Sequence, residues 1–268
     1  MTDPVFPREI ENTIFTYALA LKAKDESALD LMLVAQRFHT WLFPELIRTV
    51  VVQPNRGGYP SRWDISTIEK YGIHVRNLFL WTRGSPSPTR FLAHCPNVTN
   101  LLLWTDEKDF PIDQLGQLRL THLSVELSII PHMTPEVTEL FHKITHLEEI
   151  GRLTSERDLE RLKELTSITH LAIPAKSRQD LLPRLFGHHP TLEVLIVLDD
   201  DGPLDEPLHV DAAFDSRVDD PKIVRMFFEL ERLVEDWLLE VEMGQGIWGI
   251  ADNAVQERKE LRDAVRRR

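Results

Sequence analysis

Ile144-Thr145-His146-Leu147, Ile168-Thr169-His170-Leu171 and Leu192-Glu193-Val194-Leu195 are three copies of one pattern, each beginning 24 residues after the last. Towards the N-terminus, Leu120-Thr121-His122-Leu123, Val98-Thr99-Asn100-Leu101 and Val75-Arg76-Asn77-Leu78 continue the series at steps of 24, 22 and 23. A looser copy, Ile47-Arg48-Thr49-Val50, lies 28 residues earlier. Self-similarity at this period predicts a solenoid, in which each unit buries its apolar side only against its neighbours. Most copies go on through one further residue to an apolar one: Val52, Leu80, Leu103, Val125, Ile173 and Val197. Short strands with inward side chains two apart follow from that spacing. The copy at Leu147 departs, with Glu149 at the second inward position and Ile150 after it, which predicts a bulge or slipped strand.

The L-x-x-L-x-L core of these copies resembles a leucine-rich repeat over roughly residues 47–198, without a clear Asn or Cys at the ladder position that follows. A solenoid offers a long concave surface and usually no closed pocket, so the pattern speaks for binding more than for catalysis.

Composition narrows the setting. A content of 42% apolar residues supports a continuous core and is too high for general disorder. No long uninterrupted apolar run indicates a membrane span. The first residues, Met1 to Glu9, lack the basic and apolar regions of a secretory signal. The single cysteine, Cys95, excludes an internal disulfide framework. A cytoplasmic or nuclear location is expected. The net charge of −12 argues against a nucleic-acid or anionic-membrane partner. Much of that charge lies in residues 199–242, where 15 carboxylates face only Arg217, Lys222, Arg225 and Arg232. A solvated acidic loop and helix face, or a docking site for a basic partner, are the two readings.

Along the chain, Pro7 and the apolar face Ile10, Ile14, Phe15 and Leu19 predict a helix over residues 7–21. A second helix carries Leu29, Met32 and Leu33 and ends near Trp41-Leu42-Phe43, before Pro44. Phe6-Pro7-Arg8-Glu9-Ile10 followed by Ile14-Phe15, then Leu31, Val34, Ala35, Gln36, Arg37 and Phe38, resemble the F-box. The continuation from Trp41 to Val50 is similar to the F-box-like proteins expanded in fungi, where such a run leads into repeats. Phe6 stands where that family has Leu, and Ala35-Gln36 where it has Ser-Arg. The resemblance implies docking on a Skp-type adaptor through Phe6, Pro7, Ile10, Ile14, Phe15, Leu31, Val34 and Phe38, with the repeats presenting a protein substrate to an SCF-type ubiquitin ligase. An alternative stays open, in which these helices only cap the N-terminal end of a free-standing interaction scaffold.

Connectors between the copies read as short outer helices. Thr134-Pro135-Glu136, Ser155 with Asp158 and Ser177 with Asp180 are helix starts, and Gly187 is a stop. Residues 61–71 predict the first outer helix. Asp220-Pro221 is expected to open a long amphipathic helix carrying Ile223, Met226, Phe227, Leu230, Leu233, Val234, Trp237, Leu238 and Val241. Gly244 and Gly246 would end it, and Asp252 would cap a last helix reaching about Val265. The fold class expected is α/β: a short leucine-rich-repeat solenoid over 47–198, an F-box-like helical segment over 1–46, and an acidic loop with C-terminal capping helices over 199–268.

The repeat phase assigns the concave face to alternate strand residues. These are Asn77, Phe79 and Trp81, then Asn100, Leu102 and Trp104, then His122, His146 and His170, with Ser124, Glu126 and Glu148 among their neighbours. Phe79, Trp81, Leu102 and Trp104 would form one apolar patch, either an interface anchor or a surface covered by the 53–62 loop or the F-box-like helices. The three histidines would form a ladder at the strand spacing of about 4.8 Å. Metal or pH chemistry is one reading of that ladder and repeat duplication the other, and no carboxylate or thiol completes a tetrahedral set. No Gly-rich phosphate loop and no G-x-S-x-G elbow occurs, so no catalytic residue, metal or cofactor is assigned. Cys95, ahead of Pro96 at a helix end, is expected to be a buried structural thiol.

Overall fold

A computed structural model describes residues 43–53, 65–82, 87–106, 108, 110–130, 135–151, 153, 155–177, 189–199, 220–227 and 232–267. Phe6, Pro7, Ile10, Ile14, Phe15, Leu31, Val34 and Phe38 lie outside the described residues, as do the helix start at Asp180 and the stop at Gly187.

The repeats become strands β1 (Thr49–Val52), β2 (Asn77–Trp81), β3 (Asn100–Trp104), β4 (His122–Val125), β5 (His146–Glu149), β6 (His170–Pro174) and β7 (Val194–Asp199). An eighth strand, β8 (Ile223–Phe227), follows, and all eight are parallel and hydrogen-bonded in sequence order. Between the strands run α1 (Ile65–Tyr71), α2 (Pro88–Leu92), α3 (Ile112–Gln117), α4 (Pro135–Phe141) and α5 (Glu156–Glu164). The chain continues through α6 (Leu233–Met243) and α7 (Ile247–Arg266). The fold is α/β.

One backbone carbonyl per repeat sets the register. The Thr121 carbonyl accepts from the N–H groups of Thr145 (3.0 Å) and His146 (3.1 Å). Arg48, Arg76, Thr99, Thr145 and Thr169 each do the same for the repeat that follows them. The Thr121, Thr145 and Thr169 hydroxyls donate to the equivalent carbonyl of the preceding repeat at 3.3 Å. The inward residues so aligned, including Leu78, Leu101, Leu123, Leu147, Leu171 and Leu195, form one core with Ile68, Phe91, Leu115, Phe141 and Leu162 of the connecting helices. Capping fixes the helix entries: the Ser155 hydroxyl accepts from the Asp158 N–H, and the Asp158 carboxylate accepts from the Ser155 N–H. Gly72 permits a close approach, since a Cβ there would stand 2.3 Å from the His94 carbonyl oxygen. Cys95 is fully buried, which pushes its thiol up to about 12.

Two expectations are corrected. Residues 223–227 are a strand, not the first turns of a long helix. Ile-Val-Arg-Met-Phe is a short apolar run that fits either period, and pairing with β7 decides it, with Leu195 N–H donating to the Lys222 carbonyl. Secondly, β5 carries no bulge at Glu149, which pairs in register with Val125. Its side chain points into the core layer and accepts from the N–H groups of Leu127 (2.8 Å) and Gly151 (2.7 Å). Buried Arg161 donates to the Leu127 and Ile130 carbonyls of the same turn.

Burial pushes the Glu149 carboxyl up to about 8, against the two N–H donors that lower it. A raised folded-state value means the folded chain holds the proton more tightly. Stability from this group is present in full below about 4.5 and lost as pH rises through about 8. Glu149→Gln replaces one acceptor oxygen by a donor, leaving one N–H unmatched. Urea unfolding at pH 6 should show it destabilised by about 1–3 kcal/mol and the fall in stability towards pH 9 reduced.

Candidate functional site

The face of the sheet opposite α1–α5 is covered by the chain itself. Phe79 and Leu102 are fully buried beneath Leu233, Val234 and Trp237 of α6, with the Phe79 and Trp237 rings edge to face at 5.6 Å. Farther along, Ala172, Val194, Ile196, Leu198, Val224 and Met226 pack under Ile247, Trp248, Ala251 and Val255 of α7. The C-terminal helices therefore lie across the face that carries the aromatic patch, and α6 covers its Phe79 and Leu102. Trp81 and Trp104 stack at 4.6 Å and remain half-buried at the border of α6. Gly244, at φ 63°, ends α6 and turns the chain into α7.

Asn77 and Asn100 begin a polar ladder along the same face. Asn77 donates to the Thr49 hydroxyl (3.1 Å) and Asn100 to the Asn77 carbonyl oxygen (3.0 Å). His122, His146 and His170 then stack face to face, with ring centroids 4.0 and 4.1 Å apart. That is tighter than the strand spacing alone predicts. Each Nδ1 is bonded to the hydroxyl of the preceding threonine, at 2.9, 2.9 and 2.8 Å. The Trp248 ring stands edge-on to His146 and His170, and His170 Nε2 lies within hydrogen-bond distance of the Asp252 carboxylate, at 2.9 Å. Asp252 lies inside α7, which begins at Ile247, and is not the cap of the last helix.

Between β3–β5 and the α6–α7 junction a small cleft of about 100 Å³ is lined by Asn100, His122, Ser124, His146, Glu148, Asp236, Trp237, Glu240 and Trp248, among others. Ser124 donates to the Glu148 carboxylate at 2.5 Å. Burial, with Glu240 and Asp236 adding to it, pushes the Glu148 carboxyl up to about 7 despite that bond. Glu240 accepts from the Trp248 N–H, and burial raises its carboxyl too. Burial and the His170 charge hold His122 down at about 4. Burial, with His122 and His170, holds His146 at about 3. At neutral pH the cleft presents neutral imidazoles beside carboxyls that resist ionisation, a setting for hydrogen bonding.

Of the residues singled out in the sequence, the structure thus joins His122, His146 and Asn100 in this cleft, with His170 next along the stack. It places Asn77, Phe79, Trp81, Leu102 and Trp104 beside or beneath α6. Sequence reasoning missed Asp236, Glu240, Trp237, Trp248 and Asp252, which read there as parts of a cap or an acidic run. The i,i+4 spacing of Asp236 and Glu240 was the available signal that both occupy one helix face. Among the described residues, no group of three or more His, Cys, Asp or Glu is placed to hold a metal ion, and no helix is long and apolar enough to cross a membrane.

Trp237→Ala should remove the main contact of α6 with Phe79 and Leu102. Thermal or urea unfolding is expected to register a loss of about 3–5 kcal/mol, and a hydrophobic dye should bind the uncovered face. No protein-family model matches the chain, and no curated protein matches it.

Proposed function

We propose that the chain is a substrate-recognition adaptor of an SCF-type ubiquitin ligase, with a leucine-rich-repeat solenoid as its scaffold and no catalytic residue of its own. The observation that carries this reading is the order of parts. F-box-like residues Phe6 to Phe38 lead, through a helical turn at 43–46, straight into parallel strands paired in sequence order. The connecting helices gather on one face of those strands, an arrangement that supports the repeat reading. In this reading Phe6, Pro7, Ile10, Ile14, Phe15, Leu31, Val34 and Phe38 dock the Skp-type adaptor. A protein substrate is held on the other side, with the half-buried Trp81–Trp104 pair as its anchor.

One observation favours a second reading, a free-standing interaction scaffold without a ubiquitin role. The face that would receive a substrate is occupied by α6 and α7. A scaffold that binds elsewhere, with its F-box-like helices serving as a cap, is consistent with that occupancy.

Co-purification of the full chain with the Skp-type adaptor separates the two. The adaptor reading expects a complex with the wild type and none with a folded Pro7→Ala/Ile10→Ala variant. No complex with a folded wild type would leave the scaffold reading. Trp81→Ala/Trp104→Ala is expected to lose substrate capture while keeping adaptor binding, read by pull-down of both from the same preparation.

A further inference from the structure

We propose that the His122–His146–His170 stack is an acid-sensitive latch, holding α6 and α7 on the sheet while His122 and His146 are neutral and releasing them as those two rings take up protons. The geometry carries the argument. Three imidazoles on three adjacent strands lie within 4.1 Å of their neighbours, and Trp248 of α7 closes over two of them. Protons on both His122 and His146 would place like charges at stacking distance, on rings that are half-buried. Opening the cover is the movement that rehydrates the rings.

On β3, Asn100 is uncharged, and on β7, Val194 is apolar, paired beside His170. On β4 and β5, Ser124 and Glu148 are bonded to each other. On α6 stand Asp236 and Glu240; Arg232 lies 3.7 Å from Asp236. On α7, Asp252 bonds His170 and ties the last ring of the stack directly to the cover. Among the described residues, no lysine or arginine lines the cleft.

The sign follows from these partners. His122 and His146 are held below the ordinary imidazole value of 6.5 when covered, so uncovering binds protons and opening is favoured as pH falls below it. Glu148, raised when covered, acts in the opposite sense and offsets about one of those protons. Glu240, raised by burial in the same cleft, acts in the same sense as Glu148 and offsets a further part of the uptake. A net uptake of at most about one proton gives an opening equilibrium that grows by up to about tenfold per pH unit below about 6.5.

Hydrogen exchange of the full chain, followed by mass spectrometry between pH 7.5 and 5 and corrected for intrinsic rates, tests this. Amides of α6 and α7 should lose protection by up to about tenfold per pH unit while β2 and β3 stay protected. His146→Phe keeps a stacking ring without a titratable nitrogen and should make that response much shallower. Glu148→Gln removes the opposing proton and should steepen it. Unchanged protection of α6 and α7 in the wild type overturns the proposal, as does simultaneous loss from helices and strands. A His146→Phe response equal to the wild type's also overturns it. Should His146→Phe fail to fold, a Glu148→Gln response no steeper than the wild type's does so instead.

Discussion

A single backbone carbonyl in each repeat, taking two N–H groups from the next, is the contact on which the rest of the architecture depends. It recurs at Arg48, Arg76, Thr99, Thr121, Thr145 and Thr169, and it leaves no freedom in how one strand is placed beside another. Residues equivalent in the repeat become nearest neighbours in space. The Trp81–Trp104 stack, the Asn77–Asn100 ladder and the imidazole column are all consequences of that one register. So is the stacking of leucines on the opposite face, which closes the core. The same rule carries a restriction, because like charges directly opposite each other in a ladder are destabilising. The row through Ser124, Glu148 and Ala172 contains one carboxylate, flanked by a hydroxyl that bonds it and a methyl group.

Parallel sheets are stable when both faces are covered. Here the two covers have different origins. Among the described residues, the first face is covered by α1–α5, which lie between the strands of the repeats. The second is covered by α6 and α7, from beyond the last strand. Their apolar contacts lie at the two ends: α6 over Phe79 and Leu102, and α7 over Val194, Ile196, Val224 and Met226. The polar rows of β4 and β5 fall between, where Gly244 turns one helix into the next. The cleft is the place where two well-matched apolar contacts meet over a segment of the sheet that offers none.

Much of the sheet was legible because period is a local property of sequence. Strands β1–β7, the capping box of Ser155 and Asp158, and the buried thiol of Cys95 follow from spacing and neighbouring residue types. The cover was not legible, because it depends on which long-range contact wins. Ile223 to Phe227 satisfies both strand and helix patterns, and only the free edge of β7 selects the strand. Once that run joins the sheet, the shorter α6 is left to lie on the face instead of closing the end. Glu149 failed for another reason. A carboxyl at an inward position reads as a broken register, yet the adjacent turn at Leu127–Ile129 and the Gly151 backbone supply the donors that admit it. The phase of the candidate site residues was readable; their exposure was not.

That the middle of the second face is polar has a consequence for how firmly its cover is held. Burying imidazole and carboxyl groups forfeits hydration that packing does not return, unless each finds a partner. Ser124 meets Glu148, the threonines meet the ring nitrogens, and Asp252 meets His170, so part of that cost is offset. An aliphatic row at the same positions would offer contact area with no such cost. The layer made by α1–α5 rests on leucine, isoleucine and phenylalanine along the length of the sheet, whereas α6 and α7 rest on such residues only at its two ends. Local stability follows the density of buried apolar contacts. The layer on the second face is therefore the one whose separation costs less.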